Sequence, residues 1–302
     1  MKRVVLLLVL YTLNFSARCQ DQSFAKKENV IYGMISGMAL LMDVYTPEVS
    51  NNIGIVYIAG SGWGVPSFYQ KVYNQPPLKN DFEWDDTYSG KWAHDLVKRG
   101  YTVFMINHRF APRFHYPDIV EDARRAVRYI RYNADQYTIH PDKIGVMGHS
   151  SGGYLAAMLG VMDTPYPNVD QNPIDSVSSK VQAVVVMASP FVLTDFKGQG
   201  DLDMVAAYMG EQPVKEGDLY SLSGNYAKAS PITHVSKGDA PFIIYYSDND
   251  PYFLIKQAKK MEQKLKDNSI PVELFIDSRA GHMPKPDMDE VDSWFRKYLK
   301  YN

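Results

Sequence analysis

The sequence predicts an α/β domain: a mostly parallel, twisted sheet with helices on both faces, entered through an N-terminal antiparallel hairpin. Three observations carry this. Two strand-like runs, residues 30–34 and 38–45, are joined by Ser36-Gly37, a hairpin connection. Short apolar runs then alternate with segments whose apolar residues recur at helical spacing. Interior runs such as 53–59 are apolar throughout, as strands covered on both faces must be.

In order after the hairpin and the strand at 53–59, residues 92–98 read as a short helix ended by Gly100, and 102–107 as a strand. Over 119–132, Ile119, Ala123, Ala126, Val127 and Ile130 share one helical face, with Arg124, Arg125 and Arg128 expected to turn away from it. A strand at 144–147 and a helix at 154–161 follow, then strands at 181–187 and 242–246. An amphipathic helix at 253–265, a strand at 272–276 and a closing helix at 291–299 complete the series. No internal repeat interrupts it, and residues 20–302 read as a single domain.

Before the domain, Lys2 and Arg3 precede an apolar run that weakens after Leu10. A basic head and a short apolar stretch read as a secretory signal peptide, residues 1–19, too short for a membrane-spanning helix. The small-residue pattern Ala17-Arg18-Cys19 would start the mature chain at Gln20. The alternative is a lipoprotein bearing its lipid on Cys19, although Arg18 immediately before it fits that pattern poorly. The expected location is therefore periplasmic or secreted, with membrane association only through Cys19. Loss of Lys2, Arg3 and Arg18 makes the mature chain three charges more negative than the −2 of the full sequence. No basic excess exists to neutralise phosphates, which argues against a nucleic-acid partner. Cys19 is the sole cysteine, so disulfide frameworks and cysteine-bound metal clusters are excluded.

Ligands of such sheets bind beyond the carboxyl ends of the strands, so chemistry is sought where strands stop. Gly148-His149-Ser150-Ser151-Gly152-Gly153 lies between a predicted strand and a predicted helix. A serine in that strained turn is lifted into the crevice, and the N–H of Ser151 is aimed at a developing oxyanion. A hydroxyl needs a base to take its proton. Of the seven histidines, His282 lies after the last strand, late in the chain, where the order Ser, Asp, His requires it. His149 adjoins Ser150 but is expected to point elsewhere, and His108 and His115 read as pocket or structural residues. Asp250, with Asp248 as competitor, follows the strand at 242–246 and is the candidate to orient His282. Ala59-Gly60-Ser61-Gly62-Trp63 ends another strand, where Ser61 or Gly62 could supply a second oxyanion donor.

Together these residues resemble the α/β-hydrolase fold, and within it the esterase group of hormone-sensitive-lipase-like enzymes, arylformamidases and acetyl-xylan or feruloyl esterases. The resemblance includes Asp43-Val44-Tyr45-Thr46-Pro47, the loop from Ala59 to Trp63, Asn107-His108-Arg109-Phe110-Ala111-Pro112, the serine turn, and the loops of Asp250 and His282. It implies a serine nucleophile at Ser150, an acid at Asp250, a base at His282, and hydrolysis of carboxylic esters without metal or organic cofactor. Small-molecule or oligosaccharide esters are the substrates it suggests. An amidase of the arylformamidase kind, a lipase, or a non-catalytic binding protein on the same fold are the alternatives. Two departures stand out. Ala59 and Ser61 replace the His and second Gly of the family's oxyanion loop, so the loop's support must differ. Residues 64–90 form a longer segment than usual, with the acidic run Asp81-Phe82-Glu83-Trp84-Asp85-Asp86, read as either a lid or sugar platform or a solvated surface loop.

Overall fold

The structure, a computed structural model, describes residues 24–64, 87–162, 172–195, 199–216, 219–221 and 223–299. The leader with Cys19 and the acidic run 81–86 lie outside them. Strands β1 (Phe24–Ile35) and β2 (Met38–Pro47) form the expected antiparallel hairpin, turning at Ser36 and Gly37, both with positive φ. Gly37 at φ 80 takes that conformation without a Cβ penalty. β3 (Gly54–Ile58), helix α1 (Tyr88–Lys98), β4 (Thr102–Ile106), α2 (Asp118–Tyr132), β5 (Ile144–His149), α3 (Ser150–Val161) and β6 (Ala183–Met187) follow. Then come α4 (Gln199–Met209), a small hairpin of β7 (Val214–Glu216) and β8 (Leu219–Ser221), and α5 (Gly224–Lys228). β9 (Phe242–Tyr246), α6 (Ile255–Asp267), β10 (Val272–Ile276) and α7 (Met288–Leu299) end the series.

Eight strands form one sheet in the order β1-β2-β4-β3-β5-β6-β9-β10. β1, β2 and β4 pair antiparallel, and every pairing from β4 through β10 is parallel. Alternate residues of the interior strands feed two cores. Val56, Phe104, Val146, Val184 and Ile244 face one core, against Val127 of α2, Leu155 of α3 and Met261 of α6. Ile55, Val103, Met147, Val185 and Ile243 face the other, against Leu96 of α1 and Trp294 and Phe295 of α7. This two-sided burial is why the strands lack polar alternation. β4 lies on one side of β3 and β5 on the other, so the strand order reverses at β3 and opens a crevice there, beyond the strand ends.

Two local expectations are corrected. Helix α3 begins at Ser150 rather than Tyr154, so the glycine-rich turn is already the helix's first turn. Arg124 and Arg128 do not turn away to solvent: they are 2% and 1% exposed. The segment around Pro173–Ser176 folds back over α2 and covers them. Arg124 donates to Ser179 Oγ and Arg128 to the carbonyl of Val177, and both pair with Glu121. Only Arg125 is half-buried, paired with Asp175. Their charges are tolerated because acceptors arrive from distant chain.

The close packing of α3 on β3 depends on a missing side chain. A Cβ at Gly152 would sit 2.1 Å from the Ile58 carbonyl oxygen and 2.6 Å from that of Ala59. Backbone oxygens cannot swing aside as a flexible side chain would. Gly152→Ala is therefore expected to cost about 2–3 kcal/mol, lowering the thermal midpoint by roughly 5–10 °C. Thermal denaturation followed by circular dichroism checks this, and an unchanged midpoint would contradict the close approach.

Candidate active site

The crevice is built from loops at the carboxyl ends of β3, β5, β9 and β10. Strand β5 runs extended through His149 (φ −119, ψ 142), then Ser150 takes φ 54 and α3 starts at once. A non-glycine residue held in the left-handed region costs of order 1–3 kcal/mol, which surrounding packing must over-determine. Gly148 allows the turn to close, since a Cβ there would lie 2.4 Å from the Gly152 oxygen.

The next groups come from the two late loops. The hydroxyl of Ser150 lies 2.8 Å from His282 Nε2, and His282 Nδ1 lies 2.8 Å from Asp250 Oδ2. The proton on Nδ1 is donated to the carboxylate, which leaves Nε2 to accept from the serine. Asp250 is fully buried, and its other oxygen accepts from the backbone N–H groups of Tyr252 and Phe253 at 2.8 and 3.1 Å. Asp248, the competitor, is exposed. Asn249 ties the two loops together by accepting from the Gly281 N–H at 2.9 Å. The His282 ring is flanked by Tyr252 at 4.7 Å, edge-on, and Phe253 at 5.7 Å. Ser150, His282 and Asp250, singled out in the sequence, are thus brought into one hydrogen-bonded chain.

The loop after β3 passes beside this chain. A Cβ on Gly60 would meet Ser150 Cβ at 2.9 Å, so the loop lies directly against the serine turn. The Ser61 N–H is donated to Ser151 Oγ at 2.9 Å. Ser61, one of the two oxyanion donors that the sequence offered from this loop, instead uses its N–H to brace the loop against the serine turn. That bond also supplies the different support that Ala59 and Ser61 called for. Trp63 is fully buried behind the loop, stacked on Tyr208 at 4.4 Å and edge-on to Tyr154 at 5.2 Å. Its carbonyl accepts from the Ala111 N–H at 2.8 Å. The segment carrying Ala111 is held in turn by Arg109, paired with the fully buried Asp122. A largely apolar cavity of about 350 Å³ lies next to that segment, lined by Met38, Leu40, Asn107, Phe110 and Phe114, without any of Ser150, Asp250 or His282. Among the described residues, no group of three or more His, Cys, Asp or Glu is gathered to hold a metal ion.

Five of the other histidines have partners of their own. His234 Nε2 meets the Lys228 carbonyl, His140 Nδ1 accepts from the Asp142 N–H, and His94 packs against Phe24 and Tyr45. His108 is buried with Nδ1 on the Arg109 carbonyl, and burial lowers its pKa to about 4. His149 was expected to point away from Ser150. It does, but not out of the site: its Nε2 lies 2.8 Å from the backbone oxygen of His282. Burial, and then the neighbouring His282, lower its pKa to about 4. Nothing in the local sequence signals this contact, because its partner lies 133 residues away.

A family model described as BD-FAE matches residues 42–265, most of the chain. The chain belongs to the BD-FAE family. In this α/β-hydrolase family member, the match spans β2 through nearly all of α6 and includes the turn of Ser150 and Asp250, while His282 lies past its end. The probable carboxylic ester hydrolase LipM of Mycobacterium tuberculosis is 29% identical over 57% of this chain and 39% of its own length. The esterase LipQ of the same organism is 27% identical over 57% of this chain and 40% of its own. The chain thus spans about two-fifths of the length of these relatives. Among solved structures, a truncated carbohydrate esterase from gut microbiota superposes with a TM-score of 0.74 at 23% identity, over 93% of this chain and 98% of that one. An acetyl ester-xyloside bifunctional hydrolase from Caldicellulosiruptor lactoaceticus superposes with a TM-score of 0.69 at 20% identity, over 90% and 94%. These likenesses establish the fold.

His108 and His149 give the folded protein a pH signature. Both stay neutral in the folded chain to about pH 4, whereas in the unfolded chain they charge near pH 6.5. The unfolded chain binds more protons between these values, so stability is complete above pH 6.5 and falls as the pH drops toward 4. By pH 5 each contributes a loss of about 2 kcal/mol. The urea midpoint is expected to fall between pH 7 and pH 5, and His108→Asn to flatten that fall by about half. A midpoint independent of pH across this window would contradict the burial of neutral imidazoles.

Proposed function

We propose that this protein is an exported serine hydrolase that cleaves carboxylic esters, with short acyl groups on carbohydrates as its substrates. The observation that carries this is the chain Ser150–His282–Asp250, with both links at 2.8 Å, on a left-handed serine turn at the mouth of the crevice. Ser150 Oγ attacks the ester carbonyl carbon while its proton passes to His282 Nε2. Asp250 holds the ring by Nδ1 and balances the imidazolium charge. The tetrahedral oxyanion is met by the N–H of Ser151, at the positive end of α3, and by the N–H of Gly62. His282 then returns the proton to the departing alcohol oxygen. Water repeats the sequence in reverse on the acyl-enzyme and releases the acid.

The ester reading draws on the names borne by the relatives and structural neighbours, and the carbohydrate reading on the two neighbours described as a carbohydrate esterase and an acetyl ester-xyloside hydrolase. Export rests on the basic head and apolar run at residues 1–19. Among the described residues, no helix is long and apolar enough to cross a membrane.

Hydrolysis of p-nitrophenyl acetate tests the chemistry. Wild type is expected to turn over, and Ser150→Ala, His282→Ala and Asp250→Asn are each expected to lose at least about 1,000-fold in kcat. Absence of turnover by wild type on short-acyl esters would sink the reading. A panel of acetylated xylo-oligosaccharides, feruloyl esters and N-formylkynurenine then tests the substrate class. Acetylated sugar is expected to give the highest kcat/KM, and preference for the formamide over every ester would replace esterase by amidase.

A further inference from the structure

The proposed reaction uses Ser150 of the serine turn and leaves its neighbour unassigned. His149 is 8% exposed, and its ring lies between the two loops that complete the site. On one side, a Cβ at Gly60 would come within 2.8 Å of His149 Nδ1, so the loop after β3 rests against the ring. On the other, His149 Nε2 meets the main-chain oxygen of His282 at 2.8 Å, and the two imidazole rings stand 5.1 Å apart. Trp92 of α1 packs edge-on to the far side at 6.3 Å. A carbonyl oxygen can only accept, so this contact requires the proton on Nε2. The lowered basicity of the ring keeps it the neutral donor across the neutral range.

The serine turn therefore grips His282 at two points. Ser150 Oγ meets the ring at Nε2, and His149 Nε2–H meets the backbone of the same residue. The His282 loop needs such a tie. It follows β10 from Asp277, Gly281 just before the histidine sits at φ 59, and His282 and its neighbours Gly281 and Met283 are only partly buried. We propose that His149 is a positioning residue, which fixes the distance between the nucleophile and the base by donating a hydrogen bond to the main-chain oxygen of His282. This rests on the reading of Ser150 and His282 as nucleophile and base. A displacement of about 1 Å between reacting groups can cost on the order of 100-fold in rate, so the tie acts on kcat rather than on substrate binding.

The test exploits the reach of the donor. In His149→Gln the terminal amide nitrogen falls near the place of Nε2, whereas in His149→Asn it falls near Nδ1, too short to reach His282. Both are polar and lose part of the ring's packing, Asn by one methylene more, which the thermal midpoints measure. Kinetics on p-nitrophenyl acetate are measured for wild type, both variants and Ser150→Ala, with thermal midpoints alongside. The expected result is a kcat about tenfold or more lower in His149→Asn, with KM within about twofold of wild type, and recovery to within about threefold in His149→Gln. The proton spectrum supplies a second readout, since the downfield resonance of the His282 Nδ1–H should persist in His149→Gln and broaden in His149→Asn. Equal kcat in the two variants, whether both high or both low, overturns the proposal, because only packing or nothing would then be at stake. Inactivity of wild type would fail the hydrolase reading instead. An active wild type with an inactive Ser150→Ala and equal His149 variants would fail the positioning role alone.

Discussion

Everything in the crevice depends on how closely the first turn of α3 lies against the end of β3. The Ile58 and Ala59 carbonyls occupy the space a side chain at 152 would need, and Ser150 is held at φ 54. That approach sets the depth of the serine turn between the two central strands. It also brings Ser151 within reach of Ser61, so the loop after β3 is fastened to the turn through a single hydroxyl. A left-handed serine would relax if left to itself. Here β5, buried throughout, fixes its entry, and α3, also buried throughout, fixes its exit. Strain is thus held by two of the most enclosed elements of the fold.

The remaining parts are carried on looser chain and are tied back to this turn. Asp250 is the most enclosed of them, saturated by His282 and by two backbone N–H groups. Asn249 links its loop to Gly281, and His149 links His282 to β5. On the opposite side, Arg109 and Asp122 hold the segment whose Ala111 supports Trp63. The pattern is an enclosed centre with hydrogen-bonded arms tied back to it. In the proposed hydrolysis, preorganised donors of this kind would need no rearrangement when charge develops.

Much of this was legible in the sequence, for identifiable reasons. Strands such as β3 and β6 are apolar at every position because both faces are covered, and that pattern survives without knowledge of the fold. The glycines around Ser150 announced a tight turn, and the late positions of Asp250 and His282 matched the ends of β9 and β10. What was illegible depends on contacts across long stretches of chain. Apolar periodicity correctly found one face of α2, yet it could not show that the 173–180 region returns to bury Arg124 and Arg128 on another. Ser61, like Gly62, is an expected oxyanion donor because small residues let the backbone N–H groups of that loop face the crevice, yet the acceptor that takes the Ser61 N–H, Ser151, is 90 positions away. Helix α4 and the β7–β8 hairpin went unread, since a Gly and two Asp residues near the start of α4 break its apolar pattern. The leader, Cys19 and the acidic run 81–86 stand outside the described residues, so their readings remain those of the sequence.

The most direct measurement is covalent labelling with a fluorophosphonate, followed by intact-mass and peptide mass spectrometry. Such a reagent reports an activated serine without depending on which ester the protein prefers. The expected result is a single adduct on Ser150 in wild type, absent in Ser150→Ala and formed much more slowly in His282→Ala. Failure of folded wild type to label, or an adduct on a serine other than Ser150, would contradict the assignment of Ser150 as the nucleophile.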